Sequence, residues 1–587
     1  MPDNLPRQNS DSTPSASEGL SMEKRMLIAL ILMGAVLVGS QYIFRAFNPP
    51  PAEQTPIVET APSESAPAES AATPSATSSG ETPALSAASP DDAVAVNVRA
   101  EQEETFTIDT DLATIKFSNR GAVVLSWTIK NHKDTKGQPQ ELVNQAAFAK
   151  IGKPFSVQVH GSKPPVNPND SLFVATRSED GKSIRFEYSE NGWTVRKHFE
   201  FQADSYVATV HSEVLQGKTA VPHLLVWRGG FGDSNVHSRR DYQTAAFYDQ
   251  PRGKLETRTA DDAEDAPLSI PGSYAFAGIQ DRYFTAMFLP QNAGTMEFTV
   301  FGDHVPYNGD EEELHYVGIA AGGSGVNDFR LFVGPKEIDT LKSVHGKLPD
   351  LVDFGWFFFI AEPLFYALNW LHDNYLHNYG WAIVLLTIGI NFLMLPLKIT
   401  SMKSMKKMQA LQPQIQAINE RYKGISLRDP RKQQQNQEVM ELYSKNGVNP
   451  AAGCVPMLLQ IPFFFAFYQV LSSAIELRDA SWLWVSDLSR PEELAIRVLP
   501  LAMIVSQIFM QRLTPTPSSD PAQKMMMNIM PLVFGFIFWW QSSGLVLYWL
   551  TSNLVGIVQQ LFINRFSNNT ALVAVPVDKK QPKRIRK

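Results

Sequence analysis

Five apolar stretches without a single charged residue lie between Trp381 and Ile563: Trp381–Leu397, Cys454–Ala474, Val498–Gln511, Met525–Trp540 and Gly544–Ile563. A helix that crosses a hydrocarbon core needs about 20 apolar residues, within a range of about 17–25. With a further run at Met26–Phe44, the pattern predicts a polytopic α-helical membrane protein of six spans, five of them in one core. Some spans are short. Val498–Gln511 has 14 residues before Arg512, roughly 21 Å at ~1.5 Å per residue. Local bilayer thinning meets such a mismatch; the alternative is that Trp482, Trp484 and Pro500 mark a boundary placed elsewhere.

Whole-chain averages hide this division. A hydrophobic content of 44% and a net charge of −7 would suit a soluble protein of several domains. The single Cys454 excludes an intrachain disulfide and any multi-cysteine metal site. All eleven histidines lie between His132 and His377, none with metal-ligand spacing, so neither metal nor other cofactor is expected.

Lys24 and Arg25 precede the first apolar run, and no Lys or Arg follows from Ala46 to Val98. Basic residues stay on the cytoplasmic side, which places residues 1–25 inside as a leader and 26–44 as an uncleaved anchor. A cleaved signal peptide is the other reading, but no small-x-small site precedes Tyr42 and Phe44. Residues 45–97 are rich in Pro, Ala, Ser, Glu and Thr and predict a disordered linker.

From 98 to 350 the pattern becomes β. Ala113–Thr128 is rich in β-branched and aromatic residues and breaks at Asn119-Arg120-Gly121. Ile184–Glu190 and Trp193–Phe201 flank Asn191-Gly192, a strong hairpin signal, and Ser205–Val214 continues the alternation. This predicts a large all-β sandwich outside the membrane. Residues 351–379 predict an amphipathic interfacial helix. Glu362 and Pro363 interrupt its apolar start, and Leu364, Leu368, Leu371 and Tyr375 share one face.

Charge then tests the topology. The stretch Thr400–Gly453 carries nine Lys/Arg, the loop Ile475–Glu493 is net acidic, and six of the last nine residues are basic. Placing 400–453, 512–524 and the tail 566–587 inside satisfies the positive-inside rule at every loop, with both termini cytoplasmic. Within 400–450, Leu411, Ile415, Ile418 and Tyr422, then Val439, Leu442 and Tyr443, predict a helical hairpin whose arms pack together, with Gly447 as a C-cap.

Polar residues recur inside the apolar segments: Thr387 and Asn391, Gln460 and Gln469, Ser506 and Gln507, then Thr551, Ser552 and Asn553. Polar groups at membrane depth are costly unless they face protein or water. For any one of them a helix–helix hydrogen bond is the better reading; their recurrence in several segments fits a hydrated cavity. Met402, Met405 and Met408, with Met525, Met526 and Met527, are adaptable apolar contacts at its cytoplasmic mouth or ordinary core packing.

The motifs Leu411-Gln412-Pro413-x-Ile415-Gln416, Asn449-Pro450-x-x-Gly453-Cys454-x-Pro456 and Gln460-x-Pro462 resemble the YidC membrane-protein insertases. So do Ser543-Gly544-Leu545-Val546-Leu547-Tyr548, Ser552-Asn553-Leu554 and Gln559-Gln560. The likeness covers about 350–565 and, more weakly, Trp193–Val214, similar to the large periplasmic domain of Gram-negative members. It implies a bacterial inner-membrane insertase and chaperone with its core at 380–565, not an enzyme. It also implies a polar groove open to cytoplasm and lipid, working alone or with the Sec translocon. The expected partners are nascent hydrophobic membrane proteins, the lipid bilayer, and the ribosome and signal-recognition receptor. Where members commonly carry an arginine in the second span, this chain has Asn391. Lys398, two helical turns on, either supplies a displaced charge or snorkels to the interface. Tyr548 matches the first of two family tyrosines on the last span, and Trp549 replaces the second.

Rival functions leave weaker traces. A secondary transporter predicts repeats and ionisable coupling residues. An intramembrane protease needs a nucleophile with its base, or paired aspartates, and the five segments hold no His, Asp, Glu or Lys. A Sec-accessory scaffold without insertion activity of its own remains the serious rival.

Overall fold

The structure, a computed structural model, describes residues 97–567 except 135, 162–163, 234–242, 292–294, 307–312, 426–428, 450–454 and 515–520. The predicted leader, anchor 26–44, linker, Cys454 and basic tail lie outside the described residues.

Strand alternation builds the first half. Along Trp193–Phe201, Trp193, Val195, Lys197, Phe199 and Phe201 turn inward while the residues between them are more open. Its predicted hairpin partner, Ser183–Glu190, pairs antiparallel from Glu190 opposite Trp193, and Asn191 and Gly192 take φ of 52° and 76° in the turn. Among the described residues the strands form three antiparallel sheets. The first runs Thr105–Asp109, Ala113–Ser118, Val123–Lys133 and Pro139–Glu141. The largest has ten strands, with Phe284–Pro290, Val326–Pro335, Val207–Gln216 and Trp193–Phe201 side by side at its centre. The third orders Leu268–Gly272, Met296–Pro306, Glu313–Ser324, His223–Trp227 and Ser156–Val159. All three contribute to one apolar core, joined by ring contacts such as Phe117 to Phe199 (4.9 Å), Trp127 to Trp227 (6.3 Å) and Phe247 to Phe298 (5.8 Å). Lys197, on an inward position, is fully buried and donates to the carbonyls of Gly121, Ala122 and Phe155 at 2.7–3.0 Å.

The other face of the ten-stranded sheet is also apolar. Phe276, Met287 and Phe332 pack there in a cluster with Ile338 and Leu341 of helix α1 (Ile338–Val344), which runs on into the helical region. Helix α2 spans Phe358–Leu371 and runs through Pro363. Glu362 and Pro363 break the apolar run of the sequence there but not the helix. Leu364 and Leu368 are buried as predicted, whereas Tyr375 is exposed, since the turn at His372–Leu376 is wound more widely than an α-helix and rotates it away. The face opposite the buried one is aromatic rather than polar, with Phe358, Phe359, Tyr366 and Trp370 open.

The apolar segments form helices α3 (Tyr379–Leu393), α7 (Val455–Ser473), α8 (Val498–Leu513), α9 (Pro521–Phe538) and α10 (Ser543–Ser567). Their bounds differ from the predicted spans mainly at α3, which stops at Leu393 because Pro396 opens a new helix, α4 (Leu395–Ala410). Only α10, over Ser543–Arg565, is long and apolar enough to cross a membrane unaided among the described residues; α2 with its following turn meets α3 at a 118° bend. Helices α5 (Gln412–Arg421) and α6 (Arg431–Lys445) are the hairpin arms. Ile415 and Leu411 pack with Val439, Leu442 and Tyr443, Tyr422 donates to Glu438 at 2.7 Å, and Gly447 takes φ of 61°.

Candidate functional site

Helix α10 is the spine of the site. Its residues Ser552 and Gln559, seven apart and so on nearly one face, meet Asn391 near the end of α3. The Asn391 amide donates to Thr387 O (2.9 Å) and Ser552 Oγ (3.3 Å), and Gln559 Nε2 donates to Asn391 O at 3.1 Å. The break before α4 lets Lys398 turn back. Its Nζ lies 2.7 Å from Asn391 Oδ1 and 3.4 Å from Gln559 Oε1. Among the described residues no carboxylate forms an ion pair with Lys398, and the oxygens that meet its charge are those of two amides. The predicted displaced cation thus reaches the Asn391 position itself.

Other polar residues join α10 to its neighbours in pairs. Asn553 donates to Ser506 of α8 at 3.0 Å, Trp549 to Gln507 of α8 at 3.3 Å, and Gln460 of α7 to the Tyr548 hydroxyl at 2.8 Å. Tyr548 is buried, stacked on Phe467 at 4.3 Å, while Trp549 packs among Phe464, Phe534 and Phe538. Of the two readings the sequence left open, helix–helix bonding describes these pairs, because each partner lies on a facing helix within reach.

Three predicted site residues fall elsewhere. Thr387 is buried and bonds within its own helix to Ile383 O at 2.6 Å, so it cannot line a cavity. Gln469 sits at the other end of α7, donating to Asp353 O at 2.8 Å. Met408 is buried against Leu411, Ile415 and Val448 in the hairpin core, so it packs rather than presents a contact surface. Met402 and Met405 are half-buried, and the side chains of Met525, Met526 and Met527 lie outside the described ones. Gln559 was missed as a site residue; its signal was its seven-residue spacing from Ser552. No group of three or more His, Cys, Asp or Glu is placed to hold a metal among the described residues.

At the opposite end of the helices, the loop 474–497 crosses over their tips. Trp482 lies on the start of α3, where Gly380 leaves the room; a Cβ there would be 2.2 Å from the indole. Ser543 and Gly544 of α10 donate to Arg490 O (2.7 Å) and Leu488 O (2.9 Å), and Leu499 of α8 donates to Glu492 at 2.8 Å. Arg497 donates to the Trp539 carbonyl beyond α9.

Comparison with known proteins covers both halves. A family model described as "60Kd inner membrane protein" matches residues 370–570, and one described as "YidC periplasmic domain" matches 105–367. The chain is 34% identical to a protein of Pelobacter propionicus named "Membrane protein insertase YidC", over 93% of this chain and 100% of that one. Proteins of the same name from Geotalea daltonii (32%; 93% and 99% covered) and Cupriavidus metallidurans (34%; 80% and 85%) are similarly related. A solved structure titled "Active YidC insertase crystal structure with the first transmembrane domain resolved" aligns over 79% of this chain and 94% of its own, at 21% identity and a TM-score of 0.34.

Proposed function

Because this chain belongs to the YidC family of membrane protein insertases, we propose that it receives its clients at the polar seam between α3, α4 and α10, with Lys398 as the charge that selects them. Its function is the insertion of membrane proteins, and its substrates are nascent membrane proteins delivered to lipid. It is a bacterial inner-membrane protein with a periplasmic domain made mostly of β-sheet and a helical insertase region.

The finer reading has six spans, both termini in the cytoplasm, and service to the Sec translocon and ribosome as well as independent work. Charge distribution supports the orientation: helix α4, which carries Lys403, Lys406 and Lys407 and leads into the hairpin, would face the cytoplasm. The work is solvation rather than bond chemistry, so no catalytic residue is assigned. A polar tail crossing partway would exchange water for seam amides and for the Lys398 cation.

The observation that carries this reading is the Lys398 contact set. A lysine held by neutral oxygens keeps a net field that a carboxylate partner would cancel, and that field is strongest in a low-dielectric setting. It would attract an acidic tail and discriminate little among neutral ones. The test is insertion of a short single-span protein with an acidic tail into proteoliposomes containing only this chain, read as protection of the tail from protease. Lys398→Gln should lower protection of the acidic tail several-fold and leave a neutral-tailed control unchanged. Equal protection of both tails by the variant would remove the charge from the mechanism. No protection by the folded parent chain would favour a Sec-dependent scaffold.

A further inference from the structure

The loop 474–497 carries a buried cation of its own, and this one points away from the helices. Arg478 is buried, and its guanidinium pairs with Asp233 of the periplasmic domain at 2.7 Å, with both side chains almost fully withdrawn from solvent (1% and 2% exposed). Its Nη2 also donates to Lys133 O at 2.7 Å and to Gln140 Oε1 at 2.6 Å. The rings of Tyr283 and Phe284 lie 5.5 and 5.4 Å from its central carbon. Beside it, the Lys133 amide donates to Asp479 at 3.4 Å. One side chain of the helical half is therefore enclosed by the first sheet, the strand end at Phe284 and the segment at Asp233.

The remainder of the loop holds the tips of the helices. It bonds to α10 through Ser543 and Gly544, to α8 through Leu499 and to the end of α9 through Trp539. Near α3, Asn378 donates to Ser481 O at 2.9 Å, and Trp482 fills the space over Gly380. A loop fixed at this many helix ends covers the tips of the bundle like a lid. Its planar fork suits Arg478 to this role, since one guanidinium serves a carboxylate and two carbonyl-type oxygens together; a lysine ammonium lacks that geometry.

We propose that Arg478 is a positioning residue for insertion, pinning the lid to the periplasmic domain so that the domain braces the closed end of the helical bundle. The β domain, large and rigid through its own core, acts as a post to which the lid is tied. The bond acts across 245 positions of sequence between Asp233 and Arg478 and joins the two halves independently of the covalent connection at 336–357. A buried pair of this kind is weak evidence for stability, but removing one partner strands the other charge away from water. The lid would then leave the domain, and the helix tips it holds would loosen with it.

This inference rests on insertion as the activity, and its test has one arm that does not. In the full-length protein in lipid nanodiscs, with Cys454→Ser as background, spin labels at Lys254→Cys on the domain and Leu494→Cys on the lid report their separation. Arg478→Gln should at least double the width of the distance distribution, and Asp233→Asn should do the same without altering the lid. In proteoliposomes, the same variants should lower insertion roughly fivefold, while Arg478→Lys, which keeps the ion pair, should recover part of it. If Arg478→Gln does not fold, Asp233→Asn decides alone. A narrow distribution in folded variants would overturn the pin, and a broad one with parental insertion would overturn its role in the reaction. Failure of the parent chain to insert is a separate result and concerns the function itself.

Discussion

The two halves of this protein treat apolar and polar side chains in opposite ways. Among the described residues of the β half, the large apolar side chains that stand most exposed are Val166, Val174 and Val326, none above 38%. In the helical half Leu393, Phe536 and Val505 stand 66–70% open, while Asn391, Asn553, Gln559 and Gln560 are buried. Buried polarity differs in kind as well. The β half buries charges with partners, as at Arg228 with Asp303 or Lys197 with three carbonyls. The helices bury neutral amides and hydroxyls in pairs, with Lys398 as their partly buried cation. The same side-chain alphabet has been sorted against two solvents.

Substituting one aromatic residue in each half puts this contrast under the greatest strain. Phe199→Ala should cost about 3–5 kcal/mol of stability in the β half, because it opens a cavity in a core of rings. Phe536→Ala should stay within about 0.5 kcal/mol. Chemical denaturation in nanodiscs followed by tryptophan fluorescence measures both. If Phe536→Ala cost as much as Phe199→Ala, its open face would be packed against protein rather than lipid.

A smaller effect separates the halves by pH where they meet. Burial, and then the Arg478 cation, hold the His132 imidazole down at about 4 from an ordinary 6.5. Between these values the unfolded chain takes a proton that the folded one refuses, so this group's contribution to stability is lost as pH falls from about 6.5 toward 4. Glu476 works in the opposite direction. Burial, with Glu337, Asp339 and Asp373 adding, raises it from 4.5 to about 7, so its contribution is present in acid and lost as pH rises through about 7. His132→Gln should therefore gain melting temperature over the parent protein as pH falls from 7 to 5, and that gain should grow with acidity. A pH-independent difference between the two would mean that His132 carries no such shift.

The smallest effect lies inside the helical half. Asn553→Ala removes the 3.0 Å bond to Ser506 and should cost about 0.6 kcal/mol, as single interhelical bonds in membranes do. A loss several times larger would show that the seam excludes other partners as strictly as the β core does.

How far the sequence could be read differs between the halves for the same reason. In the β half, period-two alternation and Asn191-Gly192 located the hairpin to the residue, since a strand that buries one face must repeat every second position. In the helical half, uncharged length located every core helix, and the hairpin arms followed from helical spacing. Uniformly apolar segments carry little phase, however, so the face each polar residue takes was not legible. Thr387 and Asn391 are one turn apart, yet Thr387 bonds its own helix while Asn391 reaches Ser552. Gln469 read as a seam residue because sequence alone does not say which end of α7 meets the seam.

The two kinds of surface, the helices and strands, the family motifs and a lysine two turns beyond Asn391 are all written in the order of residues. Those are local properties, set by hydrophobic period, charge and turn chemistry. That Lys398 folds back onto Asn391 and Gln559, and that Arg478 of an acidic loop is enclosed by a domain hundreds of residues earlier, follows from the packing of the whole chain. Both depend on which distant backbones pack side by side, and a buried charge is tolerated only where that packing brings oxygens to within about 3 Å of it.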